Sequence, residues 1–371
     1  MTTRHVPDGR ESRVLHVVSA LFDPTHGILG GAERYALELA RHMSHQVPTT
    51  LVSFGPVERE ETVGSLRLRV IGDPHYVRGQ RTNPIAGALV REVLKADIVH
   101  CHQQRLVASS VSAAVARATG RRVFVTELGG GGWDVSTYVS TDGWFSGHLH
   151  ISAFSREVHR HADRASAHVI LGGVDTSTFS PPDHSAPSSR EQEVLFVGRL
   201  LPHKGVDDLI RAMPAELPLT IIGPAYDARY LARLRGLAAG KRVTFRHDAD
   251  DAELVHAYRR ARCVVLPSVY RTDEGLESKV PELLGQTLLE GMACGRPAIC
   301  TRVASMPEIV EDGVTGFVVP PNDPVALRER LVWLVNNPSA ADQMGMAARQ
   351  RVLDHFTWPA VVDRCLAIYT L

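Results

Sequence analysis

Two glutamates, Glu282 and Glu290, stand eight residues apart in the stretch VPELLGQTLLEGMACGRPAICT at 280–301. Gly285 marks the expected start of a helix, and eight residues of helix rise about 12 Å. Two carboxylates that far apart cannot be the acid and base of a glycosidase, which need a separation of roughly 5–9.5 Å. Their spacing suits opposite ends of one long ligand whose anionic middle faces the helix N-terminus. A sugar nucleotide has this layout of sugar hydroxyls, diphosphate and ribose hydroxyls.

Two cations, Arg199 and Lys204, stand five residues apart in the segment VGRLLPHKG at 197–205, just past an expected strand end. Because this segment also opens a helix, the two side chains and the helix N-terminus would bind a diphosphate without needing a metal ion. The alternative interpretation is one exposed ion pair that binds no ligand.

Adjacent glycines, Gly30 and Gly31, follow an expected buried strand in the segment GILGGAERYALELA at 27–40. Glycine lets the backbone approach a ligand closely, and the helix that follows directs free N–H groups toward the same point. The pattern suits a phosphate, although the GxGxxG spacing of a dinucleotide site is missing. A simple glycine turn between strand and helix is the alternative.

The sequence favours no metal site. Asp248 and Asp250 have the spacing of a DxD motif, but they precede an expected helix, and Asp250 is placed to cap its N-terminus. The five cysteines are scattered, with neither zinc-ligand spacing nor a CxxC pair, and we expect them to be reduced.

Composition excludes several classes of protein. The 41 basic residues balance the 41 acidic ones, so no basic surface for nucleic acid is expected. No run of 18 apolar residues is present to span a membrane, and the polar start MTTRHVPDGRESR does not resemble a signal peptide. We therefore expect a cytoplasmic protein, with peripheral contact at the inner face of the membrane left open.

Short β-branched runs alternate with segments of helical period along the chain, which predicts an α/β fold with parallel sheets. Expected strands are 14–20, 50–54, 66–71, 97–101, 123–126, 148–152 and 167–171, then 193–198, 219–223, 243–246, 263–267, 297–300 and 316–319. Expected helices are 32–43, 84–94, 106–117 and 155–162, then 205–213, 228–238, 251–260, 285–294, 324–335, 340–356 and 358–371.

The alternation stops at 174–190, where three prolines and five serines indicate a linker. We therefore expect two Rossmann-like, doubly wound domains, 1–175 and 176–356, facing each other across a cleft. The apolar face of the last helix, within 357–371, is expected to pack back on the first domain. Ligands of open parallel sheets bind beyond the carboxyl ends of the strands, so both domains would direct their loops into the cleft.

Taken together, these segments resemble the retaining GT-B glycosyltransferases of family 4, also known as glycosyltransferase group 1. The resemblance covers essentially the whole chain, with each motif in the family's order. The motifs are GGxE at 30–33, His100-Cys101-His102, Gly198-Arg199 with Lys204-Gly205, Glu282 with Glu290, and Gly295-Arg296-Pro297.

The resemblance implies a nucleotide-diphosphate sugar of UDP, GDP or ADP type as donor, without a cofactor or metal ion. Arg199 and Lys204 would hold the diphosphate and stabilise it as leaving group, while Glu282 would contact the sugar and act with them in catalysis. The acceptor would be a hydroxyl of a glycan, a lipid-linked sugar or a small molecule. Transfer would keep the anomeric configuration through a front-face mechanism with an ion-pair-like intermediate, since no carboxylate nucleophile is evident.

Further donor contacts are implied at the ribose and at the phosphates. Glu290 would bind the ribose, and backbone amides near two helix starts would complete the phosphate site. These helix-start residues are Gly30, Gly31, Gly285, Gln286, Thr287 and Leu288.

The chain departs from the family at Leu128, where many relatives have a histidine in a Thr-x-His-Gly stretch. That histidine lies near the reacting sugar and the acceptor in the family, so another residue is expected to replace it. The acceptor-side candidates are Glu127, Asp134, His102 and His148. The departure also leaves open an inactive sugar-nucleotide-binding homologue that serves as a partner subunit. A GT-B epimerase or phosphorylase is a further alternative.

Overall fold

The computed structural model describes residues 12–19, 22–23, 27–28, 30–129, 132–182 and 193–371. The chain divides into two compact units, one formed by Met1–Gly173 with Trp358–Leu371 and the other by Val174–Thr357. The crossover therefore lies at Gly173–Val174, and the segment expected as a linker starts inside the second unit. There Phe179 packs against Tyr258, with ring centroids 5.8 Å apart, and the rest of that segment, from 183, lies outside the described residues.

The first unit contains an eight-stranded sheet in the order β12-β11-β10-β9-β1-β4-β6-β5, in which only β5 is antiparallel to its neighbour. Its strands, with two short two-stranded ribbons, are β1 Val14–Val17, β2 Phe22–Asp23, β3 Gly27–Ile28, β4 Thr49–Phe54, β5 Arg59–Val63, β6 Leu66–Ile71, β7 His75–Tyr76, β8 Pro84–Ile85, β9 Ile98–His102, β10 Arg122–Thr126, β11 Gly147–His150 and β12 Ala167–Val169. Its first four helices are α1 Gly31–Met43, α2 Ala88–Lys95, α3 Val107–Ala118 and α4 Ala153–Val158.

The second unit contains a six-stranded parallel sheet in the order β15-β14-β13-β16-β17-β18. Its strands are β13 Val194–Val197, β14 Leu219–Ile222, β15 Val243–Arg246, β16 Cys263–Leu266, β17 Ala298–Thr301 and β18 Gly316–Val319. Its helices are α5 Val206–Ala212, α6 Ala228–Leu237, α7 Asp251–Arg260, α8 Gln286–Ala293, α9 Met306–Ile309, α10 Pro324–Asn336 and α11 Pro338–His355.

Strand order reverses beside the first strand of each unit, between β1 and β9 and between β13 and β16. Loops diverge at such a reversal, and ligands of doubly wound sheets bind there, beyond the strand carboxyl ends. The expected α/β class with two doubly wound domains is thus confirmed, and each sheet has its own candidate binding edge.

The last helix, α12 Trp358–Ile368, packs on α1 of the first unit. The Trp358 and Tyr35 rings stand 5.1 Å apart at an edge-to-face angle. Beyond the helix, the Tyr369 hydroxyl shares a 2.5 Å hydrogen bond with Nδ1 of His100 on β9. The chain returns to the first unit because one face of this helix is apolar and is buried there.

Two local expectations were wrong. Residues 84–85 pair as a short strand, and α2 begins only at Ala88 rather than at 84. The exposed strand β5 was missed because its sequence, REETV, lacks apolar alternation. Glu60 pairs instead with arginines of β6, as in the 2.7 Å contact between its Oε1 and Arg67 Nε.

Candidate functional site

Lys204 and Glu282 meet at the strand reversal of the second unit. Lys204 ends a short 3-10 turn that follows β13, and Ser268 lies just after the neighbouring strand β16. The Lys204 ammonium pairs with Oε1 of Glu282, and the Ser268 hydroxyl donates to the same oxygen at 3.1 Å. The Lys204 and Glu282 side chains are only 12% and 11% exposed. The sequence motifs did not signal Ser268.

Gly205 makes this approach possible. Its φ is +67°, in the left-handed region, and a Cβ at this position would stand 2.0 Å from the Pro267 carbonyl oxygen. Any other residue would therefore force the turn carrying Lys204 away from the loop that follows β16.

Arg199 lies two residues beyond β13 and is exposed. Among the described residues its guanidinium has no ion-pair partner, so it is available to an anion. Nearby His203 is half-buried, and burial lowers its pKa. The Lys204 and Arg199 cations lower that pKa further, whereas Glu282 acts in the opposite direction. His203 is therefore neutral at pH 7, and the positive charge of this loop comes from Arg199 and Lys204.

Glu290 lies within α8 and is buried. The Tyr258 hydroxyl, on α7, donates a 2.7 Å hydrogen bond to Oε2 of Glu290. Sequence reasoning missed Tyr258, because nothing in the helical pattern of α7 distinguishes it from an ordinary core tyrosine.

The expected 12 Å helical rise between the two glutamates is wrong. Glu282 precedes α8, and Gly285 adopts φ +79° and ψ +47° as the residue before the helix. A left-handed residue cannot be continuous with a right-handed helix, so only Glu290 belongs to it.

One backbone N–H group in the first turn of α8 is already used in a hydrogen bond within the chain. The Leu288 N–H donates to the Gly285 carbonyl at 3.0 Å. Thr287 is half-buried, and its hydroxyl has no hydrogen-bond partner within the described part of the chain. Gln286 and Thr287 therefore stand at the accessible end of the helix, while Leu288 is buried beneath them.

In the first unit, α1 begins at Gly31, one residue before the expected start at 32, and Gly30 precedes it in an extended conformation. The Arg34 N–H donates to the Gly30 carbonyl at 3.0 Å, which closes the first turn. Glu33 is half-buried in that turn, and burial raises its pKa.

His102 belongs to a buried cluster of three histidines on β1 and β9, with His16 and His100. Nδ1 of His16 lies 2.9 Å from Nε2 of His102, and Nε2 of His100 lies 2.7 Å from the Thr126 hydroxyl. Burial lowers the pKa of His16 to about 3 and holds the pKa values of His100 and His102 well below the usual range. These imidazoles are neutral core groups at pH 7.

Glu127 and Asp134, two other acceptor-side candidates, are both engaged in hydrogen bonds within the first unit. Oε2 of Glu127 accepts from the Gln104 N–H at 3.0 Å. Asp134 is fully buried, and its carboxylate accepts from the Ser110 hydroxyl at 2.5 Å and from the Ser136 N–H at 2.9 Å. The glycine-rich stretch between them includes residues 130–131, which lie outside the described residues.

His148, the last acceptor-side candidate, lies on β11 beside two residues that the sequence analysis did not select, Asp142 and His161. Nε2 of His148 is 3.9 Å from Oδ1 of Asp142, and Nε2 of His161 is 3.7 Å from Oδ2. Burial lowers the pKa of His148 to about 4. The pKa of Asp142 is lowered overall. Burial acts to raise it, but the hydrogen bond from Gln104 and the nearby positive groups lower it by more. In the sequence, the only signal for this cluster was the proximity of histidines in the segment HLHISAFSREVHRHAD at 148–163.

The DxD segment is a helix cap. The Asp250 side chain accepts from the Glu253 N–H, and the Glu253 side chain accepts from the Asp250 N–H, so the expected N-cap is confirmed. Over the described ranges, no helix is long and apolar enough to cross a membrane.

Residues 182–351 match the family model described as "Glycosyl transferases group 1". A GDP-mannose-dependent alpha-(1-6)-phosphatidylinositol monomannoside mannosyltransferase from Mycolicibacterium smegmatis is 32% identical over 348 residues, covering 88% of this chain and 84% of that one.

Solved structures show the same fold. A sucrose-phosphate synthase from Thermosynechococcus elongatus superposes with a TM-score of 0.71 at 20% identity, over 97% of this chain and 98% of that one. Anabaena HepE in complex with UDP and glucose gives a TM-score of 0.69 at 16% identity, over 97% and 100%. At these identities the likeness concerns the fold alone.

Proposed function

This chain belongs to the group 1 glycosyl transferases, and from that premise we propose that it moves a sugar from a nucleotide diphosphate to an acceptor hydroxyl. The chain is a glycosyltransferase with the GT-B type of fold. The finer features proposed here are retention of the anomeric configuration, independence of divalent metal, and the roles of individual residues.

The observation that carries the proposal is the convergence of Lys204, Ser268 and Glu282 at the strand reversal of the second unit. A diphosphate leaving there meets the Lys204 ammonium and the exposed Arg199 guanidinium. Both cations stabilise the negative charge that develops as the glycosidic bond to phosphate breaks. Pairing with Glu282 fixes the position of the ammonium before a donor binds.

Glu282 and Glu290 hold different parts of the donor in this proposal. Glu282, beside Lys204, accepts hydrogen bonds from the sugar hydroxyls. Glu290, held by Tyr258, accepts from the ribose hydroxyls. Gln286 and Thr287 present the start of α8 to the diphosphate, where helix N–H groups favour negative charge.

The acceptor hydroxyl approaches the anomeric carbon from the face that the diphosphate leaves. The departing phosphate oxygen takes the proton of the acceptor, so the configuration is retained without a protein nucleophile. The acceptor class is a glycan, a lipid-linked sugar or a small molecule; the mycobacterial relative named above acts on a phosphatidylinositol monomannoside.

The proposal is tested by measuring melting temperatures of the purified chain with UDP-, GDP- and ADP-sugars, because a ligand of the native state raises its melting temperature. GDP-mannose enters the panel on the name of the mycobacterial relative. The stabilising donor is then incubated with candidate acceptors, and the anomeric configuration of the first product is read by NMR. Arg199→Ala should weaken donor binding, whereas Arg229→Ala, an exposed arginine elsewhere in the same unit, should not.

Three outcomes contradict the proposal. A donor that binds but is neither transferred nor hydrolysed indicates an inactive binding homologue. Conversion of the donor to an epimer without acceptor indicates an epimerase. An inverted product rules out the front-face mechanism.

Metal independence is tested separately, by assaying transfer after chelation and after addition of Mg²⁺ or Mn²⁺. Arg199, Lys204 and the start of α8 supply positive charge at the diphosphate, so full activity is expected without these ions. Activity abolished by chelation and restored only by Mg²⁺ or Mn²⁺ contradicts this part of the proposal.

A further inference from the structure

We propose that Asp142, His148 and His161 form a binding site for one transition-metal ion of the Zn²⁺ type in the first unit. Imidazole nitrogen and carboxylate oxygen form the donor set that Zn²⁺ accepts in proteins. The site is separate from the diphosphate chemistry proposed for the second unit and does not depend on it.

The spacing of the three side chains suits one ion. One ligand atom from each residue can be chosen so that all lie within 4.8 Å of one another. The two histidine Nε2 atoms stand 3.9 and 3.7 Å from the nearer Asp142 oxygens. Zinc ligands about 2.0–2.2 Å from a tetrahedral ion stand about 3.3–3.6 Å from each other. Small side-chain movements would bring these atoms to ligand distance.

The ring of His148 provides an independent indication that an ion binds here. Its side chain is only 2% exposed, yet neither ring nitrogen has a hydrogen-bond partner among the described residues. A buried polar atom without a partner is unfavourable, and native structures rarely leave one. A metal ion between His148 and Asp142 would give Nε2 the partner it lacks.

Neighbouring groups already orient the other two ligands. Nδ1 of His161 is 3.1 Å from Nε2 of His150, whose Nδ1 is 3.3 Å from the Ser155 hydroxyl. When His161 donates its Nδ1–H to His150, the Nε2 lone pair is directed toward Asp142. Metal-binding histidines are commonly fixed in this way through the second ring nitrogen.

The Asp142 carboxylate is also fixed from outside the cluster. Oδ1 accepts from the Gln104 amide at 2.7 Å, and Oδ2 accepts from the Arg164 guanidinium at 2.9 Å. A carboxylate has about four lone-pair positions, so both oxygens keep capacity for an ion. The Arg164 charge offsets part of the carboxylate charge, which favours an ion bound mainly through nitrogen over Mg²⁺ or Ca²⁺.

The other histidine cluster of the first unit does not share these properties. Of the six ring nitrogens of His16, His100 and His102, only Nδ1 of His102 lacks a hydrogen-bond partner within the described ranges. The others contact one another, Met43, Thr126 and Tyr369. This cluster also lacks a carboxylate, and five of its six ring nitrogens have partners without an ion.

The three ligands come from separate segments. Asp142 begins a 3-10 turn before β11, His148 lies on β11, and His161 follows α4. An ion would therefore hold the segment 142–161 together and stabilise the folded first unit, since binding to the native state alone shifts the unfolding equilibrium.

The test uses the untagged full chain, stripped with a chelator and titrated with Co²⁺, whose visible absorption reports nitrogen-rich, low-coordinate sites. One equivalent should bind, Zn²⁺ should displace it, and Zn²⁺ should raise the melting temperature. Asp142→Asn, His148→Gln and His161→Gln should each lower Co²⁺ affinity at least about tenfold. His168→Gln, a histidine on the adjacent strand β12 outside the cluster, is the matched control and should bind as the parent chain does.

Circular dichroism establishes whether each variant is folded, and the near-isosteric Asp142→Asn remains informative if a histidine variant is not. Absence of stoichiometric Co²⁺ and Zn²⁺ binding by the parent chain overturns the proposal. Binding that survives in folded Asp142→Asn, or that is lost only in His102→Gln, also overturns it.

Discussion

The Tyr258 hydroxyl donates a 2.7 Å hydrogen bond to the carboxylate of Glu290, joining α7 to α8 inside the second unit. Tyr258 is fully buried and Glu290 nearly so. The tyrosine therefore holds one carboxylate oxygen of Glu290 in place. In the donor arrangement proposed above, Tyr258 would position Glu290 for its contact with the ribose.

Glu290→Gln is expected to raise the donor KM with little change in kcat, because the ribose gains no charge in the transition state. One lost charged hydrogen bond corresponds to about 1.5–3 kcal/mol. Tyr258→Phe should change KM in the same direction by less, as it removes only the hydroxyl. Steady-state kinetics at saturating acceptor measures both effects. A large fall in kcat for either folded variant would mean that the donor lies in the opposite orientation.

Glu282→Gln is expected to behave differently, lowering kcat more than it raises the donor KM. Positive charge develops at the anomeric carbon during transfer, so a carboxylate near the sugar hydroxyls interacts more strongly in the transition state. The substitution also leaves the Lys204 ammonium without its partner carboxylate. Ser268→Ala serves as the control, because it removes a neighbour of Glu282 while keeping both charges. Melting curves separate a kinetic effect from unfolding, and a variant that loses only donor affinity would contradict the assigned role.

Acidification below pH 6.5 is expected to destabilise the first unit. Burial lowers the pKa of His16 to about 3, and burial together with neighbouring histidine charge lowers the pKa of His102. An unfolded histidine titrates near pH 6.5, so between about pH 3 and 6.5 the unfolded chain binds more protons than the native chain. Stability is thus fully present above pH 6.5 and falls as pH drops, by about 1.4 kcal/mol per pH unit for His16.

The measurement is urea unfolding at pH 7.5 and 5.5, followed by tryptophan fluorescence, which reports mainly on the first unit because three of the four tryptophans belong to it. His102→Asn should weaken the pH dependence, and the exposed His75→Gln should not. Within the described ranges, the ionisable groups in ring contact with one another in this cluster are the three histidines and Tyr369, whose pKa burial holds well above the usual range. Equal stability at the two pH values would refute the prediction.

Tyr369→Phe is expected to destabilise the first unit by about 1–3 kcal/mol, because it leaves Nδ1 of His100 buried without a partner. Deleting 357–371 should destabilise that unit further and lower its solubility, since the apolar contacts of α12 with α1 are lost as well. Tyr226→Phe, at a position 70% exposed in the second unit, is the control. Unchanged urea midpoints for Tyr369→Phe would show that the hydrogen bond contributes nothing net.

The order and type of the main elements follow from the sequence because parallel strands are buried on both faces and appear as apolar runs. Strand β1, VLHV, is buried at all four positions, although it contains His16. The charged strand β5 could not be predicted from apolar runs, because it is exposed and its Glu60 pairs with arginines of β6.

The candidate site divides in the same way. Local spacing in the sequence predicts the residues that follow strand ends, which are Arg199, Lys204 and the helix starts. Contacts between distant segments, such as Tyr258 with Glu290 and Asp142 with His148, arise only when the chain folds. The assumption of a continuous helix from 282 to 290 failed because the backbone reverses hand at Gly285.

The return of α12 to the first unit has a consequence for synthesis. Trp358 is the partner of Tyr35, and Tyr369 is the partner of His100. Both leave the ribosome after all of Val174–Thr357. The second unit is contiguous in sequence and can complete its core while the first still lacks a helix. Domains usually finish folding in the order of their synthesis; in this chain the unit that starts first is the one that must finish last.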